Sequence, residues 1–264
     1  MSDIAPKNVK PDTAAIGLVD VPVSYMDDPE VVLIRDVNWQ IGIGEFWVVS
    51  GRPLSGRSAL LMTAAGLNRP VRGTLRILGQ DMAEAHEKDR VHWRQRMGYV
   101  FEQSGRLFSL LNVAQNIALP MQYHPGREEG DIMARVDELL ALTGLQDYAG
   151  QMPSHLSLSI QQRVGLARAL ALPVEVLFLD NPLSTLSLRE SRWWLDFLGQ
   201  LQESHHAKGK PLTLVASADD FRGWKDVAGQ FAVVEDGHFH VVGGRGELSA
   251  SAEPFVQDFL AKDF

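Results

Sequence analysis

The stretch GRPLSGRSALL, Gly51–Leu61, decides how the fold is read. It follows the apolar run EFWVVS and continues into SALLMTAAGL, an apolar helical segment that ends near Gly66. Strand, glycine-rich loop and helix in that order is the setting in which backbone N–H groups cradle phosphate oxygens, and the usual pattern is G-x-x-x-x-G-K-[ST]. Gly51, Gly56 and Ser58 fit it, but position 57 is Arg where the pattern has Lys. Arginine keeps the positive charge and carries it on a bulkier planar fork. Two readings stay open: a phosphate site with a substituted cation, or a purely structural loop.

Outward from the loop, strands and helices alternate. Val31–Val37 and Glu45–Ser50 read as strands, as do RGTLRILG and MGYVF, with the charged helix KDRVHWRQR before the last. NVAQNIALPM, DIMARVDELLALTGL and IQQRVGLARALAL place apolar residues at helical spacing. VEVLFLD, ending in Asp180, and PLTLVAS are short, nearly all-apolar runs, as central parallel strands covered on both faces require. QFAVVEDGHFHVV reads as a hairpin around Asp236-Gly237, and EPFVQDFLAKDF as a closing amphipathic helix. The alternation predicts an α/β fold with a mainly parallel sheet and a helical insertion.

Composition narrows the function classes. The 264 residues suit one large α/β domain, and 45% hydrophobic content is ordinary for a globular chain. No apolar run approaches the roughly 20 residues that cross a bilayer. MSDIAPKNVKPDTAA lacks the apolar core of a signal peptide and reads as a polar tail, taken as 1–18. The absence of cysteine excludes disulfides and thiolate metal sites. A net charge of −8 argues against broad nucleic-acid binding, so no nucleic-acid partner is expected. His205-His206, His238 and His240 lack carboxylate partners at ligand spacing and read as exposed side chains. Of the adjacent Trp193 and Trp194, one is expected in the core and the other partly exposed.

The order of the motifs carries a resemblance. Tyr25, the loop at Gly51–Ser58, GYVFEQ at Gly98–Gln103, LSLSIQQRVGLARAL at Leu156–Leu170, VLFLDNPLSTLS at Val176–Ser187 and VASAD at Val215–Asp219 together resemble the nucleotide-binding subunit of an ABC transporter, from about residue 19 to the end. QSGRLFSLLNVAQNIALPM and EPFVQDFLA look most like the Mla/Mce-type lipid-transport ATPases. The resemblance implies a P-loop NTPase (RecA-like) core, a helical subdomain near 103–165, a small antiparallel β element and a C-terminal helix near 253–262. It also implies ATP and Mg²⁺ as ligands, transmembrane permease subunits and a second nucleotide-binding subunit as partners, and a cytoplasmic place on the inner face of the cell membrane. The permease would dock near Leu107–Pro120.

Residue by residue, the resemblance places Tyr25 where an aromatic stacks on adenine, and Gly51, Ser55, Gly56, Arg57, Ser58 and Ala59 around the phosphates. Mg²⁺ would be held by Ser58, by Asp180 through water, and by a glutamine of the segment after Phe101. That segment is one residue longer than the family pattern between Phe101 and Phe108: Gln103 fits counting back from Phe108 and Glu102 counting forward from Phe101, with Gln103 preferred for the register of QSGRLF.

The chemistry-bearing positions depart from the family. In the signature segment Ser157 is retained, while Leu158 and Ser159 stand where the family has glycines that let backbone approach the γ-phosphate of the nucleotide held by the opposite subunit, and Ile160 where it has a glutamine. Asn181 stands at the catalytic Glu position, and a neutral amide takes no proton as a carboxylate does. Ser187 replaces an Asp, and Ala218 the switch His. The departures together imply weak or absent hydrolysis in a regulatory or structural subunit. Two alternatives stay open: an active ATPase with a carboxylate such as Glu102 or Asp219 as rerouted base, and a soluble partner-binding module on the same domain.

Overall fold

The computed structural model describes residues 14–103, 106–123 and 127–261. Positions 1–13 of the predicted tail, Ser104 and Gly105 of QSGRLF, and position 262 at the end of the predicted terminal helix lie outside the described residues.

Among the described residues there are two sheets. One has the order β2-β1-β4-β5, built from β1 (Ala14–Ser24), β2 (Val32–Gly42), β4 (Thr74–Ile77) and β5 (Gln80–Asp81), with every pairing antiparallel. The other has the order β10-β9-β3-β8-β7-β6. Its strands are β3 (Phe46–Gly51), β6 (Met97–Val100), β7 (Val176–Leu179), β8 (Thr213–Ala218), β9 (Gln230–Glu235) and β10 (His238–Gly243). All neighbours pair in parallel except β9 and β10. Those two form the predicted hairpin, with Asp236 at φ 48° and Gly237 at φ 73°. Positive φ at both central residues matches the right-handed twist of the flanking strands.

β1 corrects the sequence reading, which placed its first residues in a polar tail ending at 18. Ala15, Ile16, Leu18, Val21 and Val23 are fully buried. The strand shows no alternation because positions 14–18 and 21–24 are buried without a break, and its register shifts between Leu18 and Val21, where Asp20 takes φ 52°. Asn38 holds this bulge, donating to the Asp20 carboxylate and accepting from its N–H at 3.0 and 3.1 Å. A bulge moves later side chains to the opposite phase, so a strict period-2 reading fails there. β2 runs on to Gly42 across a second positive φ, at Asp36.

The apolar faces assemble into two cores. α1 (Arg57–Ala64) buries Leu60, Leu61 and Ala64 together with Ile16, Leu18 and Trp39 of the antiparallel sheet and Val49 and Phe178 of the parallel one. The opposite face of the parallel sheet joins α3 (Val113–Gln122), α4 (Glu129–Thr143), α5 (Leu158–Ala169) and α6 (Leu188–Ala207) in one cluster. With both faces covered, β3, β7 and β8 are buried at every position, which is why their sequences show no alternation. α2 (Glu87–Arg96), α7 (Arg245–Ala250) and α8 (Pro254–Ala261) complete the chain.

In α6, Trp194 is buried, while the partly exposed Trp193 stacks on Phe197 and carries the Arg163 guanidinium 3.8 Å from its ring centre. Ser187 caps α6 reciprocally with Glu190, its hydroxyl lying 2.6 Å from that carboxylate. The residue read as a lost acid is therefore an N-cap. The signal, S-x-x-E at the head of an apolar-periodic run, was visible in the sequence.

Candidate functional site

The site lies where the ends of β3, β7 and β8 meet the N-terminus of α1. Gly51 closes β3, and a Cβ there would meet Ser55 Oγ and the Val234 carbonyl, each at 2.7 Å. Gly56 caps α1 at φ 97°, where a Cβ would press on Leu33 and Ile34 of β2 at 3.0 and 3.2 Å. No side chain caps α1, so its first N–H groups face the loop as donors. Ser55 Oγ is buried without a partner, which costs free energy unless a ligand supplies an acceptor. A cradle that a Cβ would fill, free helix donors and an orphaned hydroxyl fit a phosphate chain. Leu54, which sequence reasoning passed over, has φ 66° and is 92% exposed. A left-handed leucine costs about 1–2 kcal/mol, and its isobutyl group projects beside the loop into solvent.

Ser58 and Asp180 come together as expected of a Mg²⁺ pair: Ser58 Oγ donates to Asp180 Oδ1 at 2.8 Å. Ser217 Oγ donates to the same oxygen at 2.9 Å and accepts from the Asn181 N–H at 2.8 Å. Ser217, within VASAD, is the hydroxyl that joins the ends of β7 and β8. Burial pushes the Asp180 carboxyl above its ordinary value, against the hydrogen bonds of Ser58 and Ser217 and the charge of Arg57. Burial, followed by the Asp180 charge, likewise drives Tyr99 up; its hydroxyl stands 3.5 Å from Asp180 Oδ2.

Asn181 follows Asp180 in the left-handed region, at φ 43°, and is 6% exposed. Its Nδ2 donates to Glu102 Oε1 at 2.8 Å and to both oxygens of Asp219 at 3.3 Å. Of the two candidates after Phe101, one is in contact with Asn181. Glu102 reaches the site, whereas Gln103, preferred on register, sits at φ 50° and is exposed. Gln103 and Arg106 both have left-handed backbone, and the Glu102 carboxylate is the one that meets Asn181.

Arg57 also departs from expectation. Its side chain is only 10% exposed and turns toward the end of β8, where Nη1 donates to the Ala218 carbonyl and Nη2 lies 2.7 Å from Asp219 Oδ1. The cation expected over the phosphates is already paired within the chain. The Ala218 methyl is buried, so that position contributes its backbone carbonyl alone. Ala59 is buried in the first turn of α1.

Tyr25 follows β1 and is 48% exposed. The pairing of Val23 with Ile34 puts this end of β1 beside the residue that packs on Gly56. The signature residues form a separate group at the head of α5. Ser157 is the N-cap, accepting from the Ile160 N–H, and lies 3.1 Å from Ser159 Oγ. Ser159 is in turn the first cause holding Glu190 down to about 2, followed by Ser187. Leu158 is exposed, and Ile160 packs on the core. Among the described residues no hydrogen bond joins Ser157–Ile160 to the Gly51–Ala59 loop.

Comparison with known proteins agrees with this geometry. The ABC transporter family profile matches residues 34–184. The sulfate/thiosulfate import ATP-binding protein CysA of Mycobacterium tuberculosis is 32% identical over 249 residues, covering 94% of this chain and 67% of that protein. The methionine import ATP-binding protein MetN of Bifidobacterium longum is 33% identical over 229 residues, covering 86% of this chain and 55% of that protein. Among solved structures, the ATP-binding cassette MJ0796, bound to ADP and Pi in a dimeric post-hydrolysis state, superposes with a TM-score of 0.75 at 26% identity, over 87% of this chain and 99% of that one. CbiO1 of Clostridium perfringens shares the fold, with a TM-score of 0.76 at 22% identity over 90% and 92%. The chain belongs to the ABC transporter family, as one of its ATP-binding domains.

Proposed function

We propose that this chain is the ATP-binding subunit of a membrane transporter, holding Mg·ATP in the loop between β3 and α1 and hydrolysing it slowly. The carrying observation is the contrast within one site. The cradle of Gly51, Ser55, Gly56 and the α1 N-terminus is intact, while the base position is the amide of Asn181 and the switch position is the buried methyl of Ala218. Ser58 and Asp180 would hold Mg²⁺, which when bound would neutralise phosphate charge. Loss of a general base costs roughly 10²–10⁴ in rate.

The partners follow the family: a second nucleotide-binding subunit and a transmembrane permease, with the chain peripheral on the inner face of the membrane. The permease-docking surface near Leu107–Pro120 is supported by Asn116. That buried side chain accepts from the Phe108 N–H and donates to the Phe108 and Leu111 carbonyls. It thus fixes a turn on which Phe108 and Leu110 are exposed.

Cargo is read from relatives, because an ATP site does not recognise it. Names of sulfate, thiosulfate and methionine import systems favour small-solute import over the lipid cargo expected from QSGRLFSLLNVAQNIALPM and EPFVQDFLA.

The test is ATP affinity by calorimetry with and without Mg²⁺, with phosphate release measured alongside an intact cassette. Saturable, Mg²⁺-dependent binding with turnover at least about 10²-fold below the comparator is the expected result. No saturable binding, or turnover equal to the comparator, refutes the reading.

A further inference from the structure

We infer that Glu102 is the general base for the residual hydrolysis and that Asn181 acts as its positioning residue. The inference rests on the ATP-binding reading above. The base position itself carries an amide, yet a carboxylate oxygen of Glu102 lies 2.8 Å from that amide's nitrogen. A carboxylate thus stands within one hydrogen bond of the base position, beside left-handed backbone at Gln103. A base must stand within hydrogen-bond reach of the water it deprotonates, directly or through one water.

Asp219 is the competing candidate, and its partners argue against it. It lies farther from Asn181, at 3.3 Å, and its Oδ1 is already matched by the Arg57 guanidinium at 2.7 Å. Among the described residues Glu102 belongs to no ion pair, and Asn181 is the donor that orients it. An amide suits that task better than a carboxylate would. Nδ2 carries two hydrogens, and Asn181 donates to a carboxylate on each side, where an acid would repel both. Burial of Asn181 and its backbone bond to Ser217 hold the donor in place.

In the proposed step the water oxygen bonds to the γ-phosphorus as the bond from that phosphorus to the β,γ-bridging oxygen breaks. The electron pair of the broken bond leaves on ADP, and the water proton passes to Glu102.

Glu102→Gln is the decisive variant, because glutamine keeps an oxygen to accept from Asn181 and loses only the capacity to take the proton. Turnover, ATP affinity and the pH–rate profile are measured on the purified chain. In parallel, the Glu102 carboxylate is followed by ¹³C NMR in nucleotide-free protein, assigned by its absence in Glu102→Gln. We expect turnover to fall at least about 30-fold with ATP affinity within about twofold. The acid limb of the pH–rate profile should be lost, and Glu102→Asp should recover part of the rate. Asn181→Ala should shift the Glu102 resonance and lower kcat.

Turnover in Glu102→Gln close to the unmodified rate overturns the inference, as does a larger loss in Asp219→Asn than in Glu102→Gln. Saturable ATP binding with no turnover in the unmodified chain also overturns it while leaving the ATP-binding reading intact. Absence of ATP binding removes both.

Discussion

Asp219→Asn should tighten ATP binding, although it removes a residue from the nucleotide site. Arg57 is the residue whose charge would serve the phosphates, and it is held by Asp219 and the Ala218 carbonyl. For the fork to turn to a phosphate, the Asp219 contact must be given up. Asp219 is 53% exposed, so the pair is partly screened although Arg57 is 10% exposed. Exposed pairs contribute about 0.2–1 kcal/mol, and one buried partner places this pair in the upper part of that range, about 0.5–1 kcal/mol. Removing the competitor should therefore lower the ATP Kd by about two- to fivefold. Calorimetric titration with Mg·ATP at low salt reads this directly. The difference should shrink as ionic strength rises, because a half-exposed pair is screened over a Debye length of about 10 Å at 0.1 M salt. Asp220→Asn is the charge-matched control, since Asp220 pairs with Arg222. An unchanged or weaker affinity in Asp219→Asn would refute the reasoning and show that the fork meets phosphate without leaving Asp219, or never meets it.

Other expectations follow from the same network. Asp180→Asn should raise Tm at about pH 7: the folded carboxyl sits above its ordinary value, so ionising it costs stability that is present at low pH and lost as pH rises through the folded value. The gain should vanish below about pH 4, and a thermal-melt series across pH checks it. Asn181→Glu, the substitution that restores an acid at the base position, should fail to restore turnover and should lower stability by about 2 kcal/mol or more, since it sets a third carboxylate against Glu102 and Asp219 and removes the donor that holds them. Denaturant melts and phosphate release test it, and a tenfold rise in rate would count against this account of the site. Glu190→Gln should cost at most about 1 kcal/mol at neutral pH because the pair is exposed. Its carboxyl falls from 4.5 to about 2 on folding, so this stability is present above 4.5 and lost as pH falls toward 2, where melts of variant and parent should converge.

Much of the fold was legible. The nearly all-apolar runs VEVLFLD and PLTLVAS, the strand-loop-helix at Gly51 and the turn at Asp236-Gly237 each obey a local rule that tertiary context did not overturn. β1 carries no period-2 signal because it is buried without a break at positions 14–18 and 21–24, with a register shift between. Ser187 stands at a motif position where the family has Asp, and the same residue type at a helix head forms the cap with Glu190. Leu54 carries no signal at all in sequence, since backbone handedness is not written in a side chain's polarity.

The chain's own order of residues determined which chemistry is present near the loop: Arg57 in place of a lysine, Asn181 in place of a glutamate, Ala218 in place of a histidine, each readable against a spaced pattern. Only the tertiary structure decided which groups meet. Glu102, Asn181 and Asp219 lie on three separate strand ends, 79 and 38 positions apart by chain counting from Asn181, and no local periodicity couples residues at such separations. Parallel pairing of β6, β7, β3 and β8 brings their C-terminal ends to one edge of the sheet. Hydrogen bonding over about 3 Å then selects the carboxylate that points inward. Glu102, and not Gln103, meets Asn181, beside left-handed backbone that the sequence does not spell out.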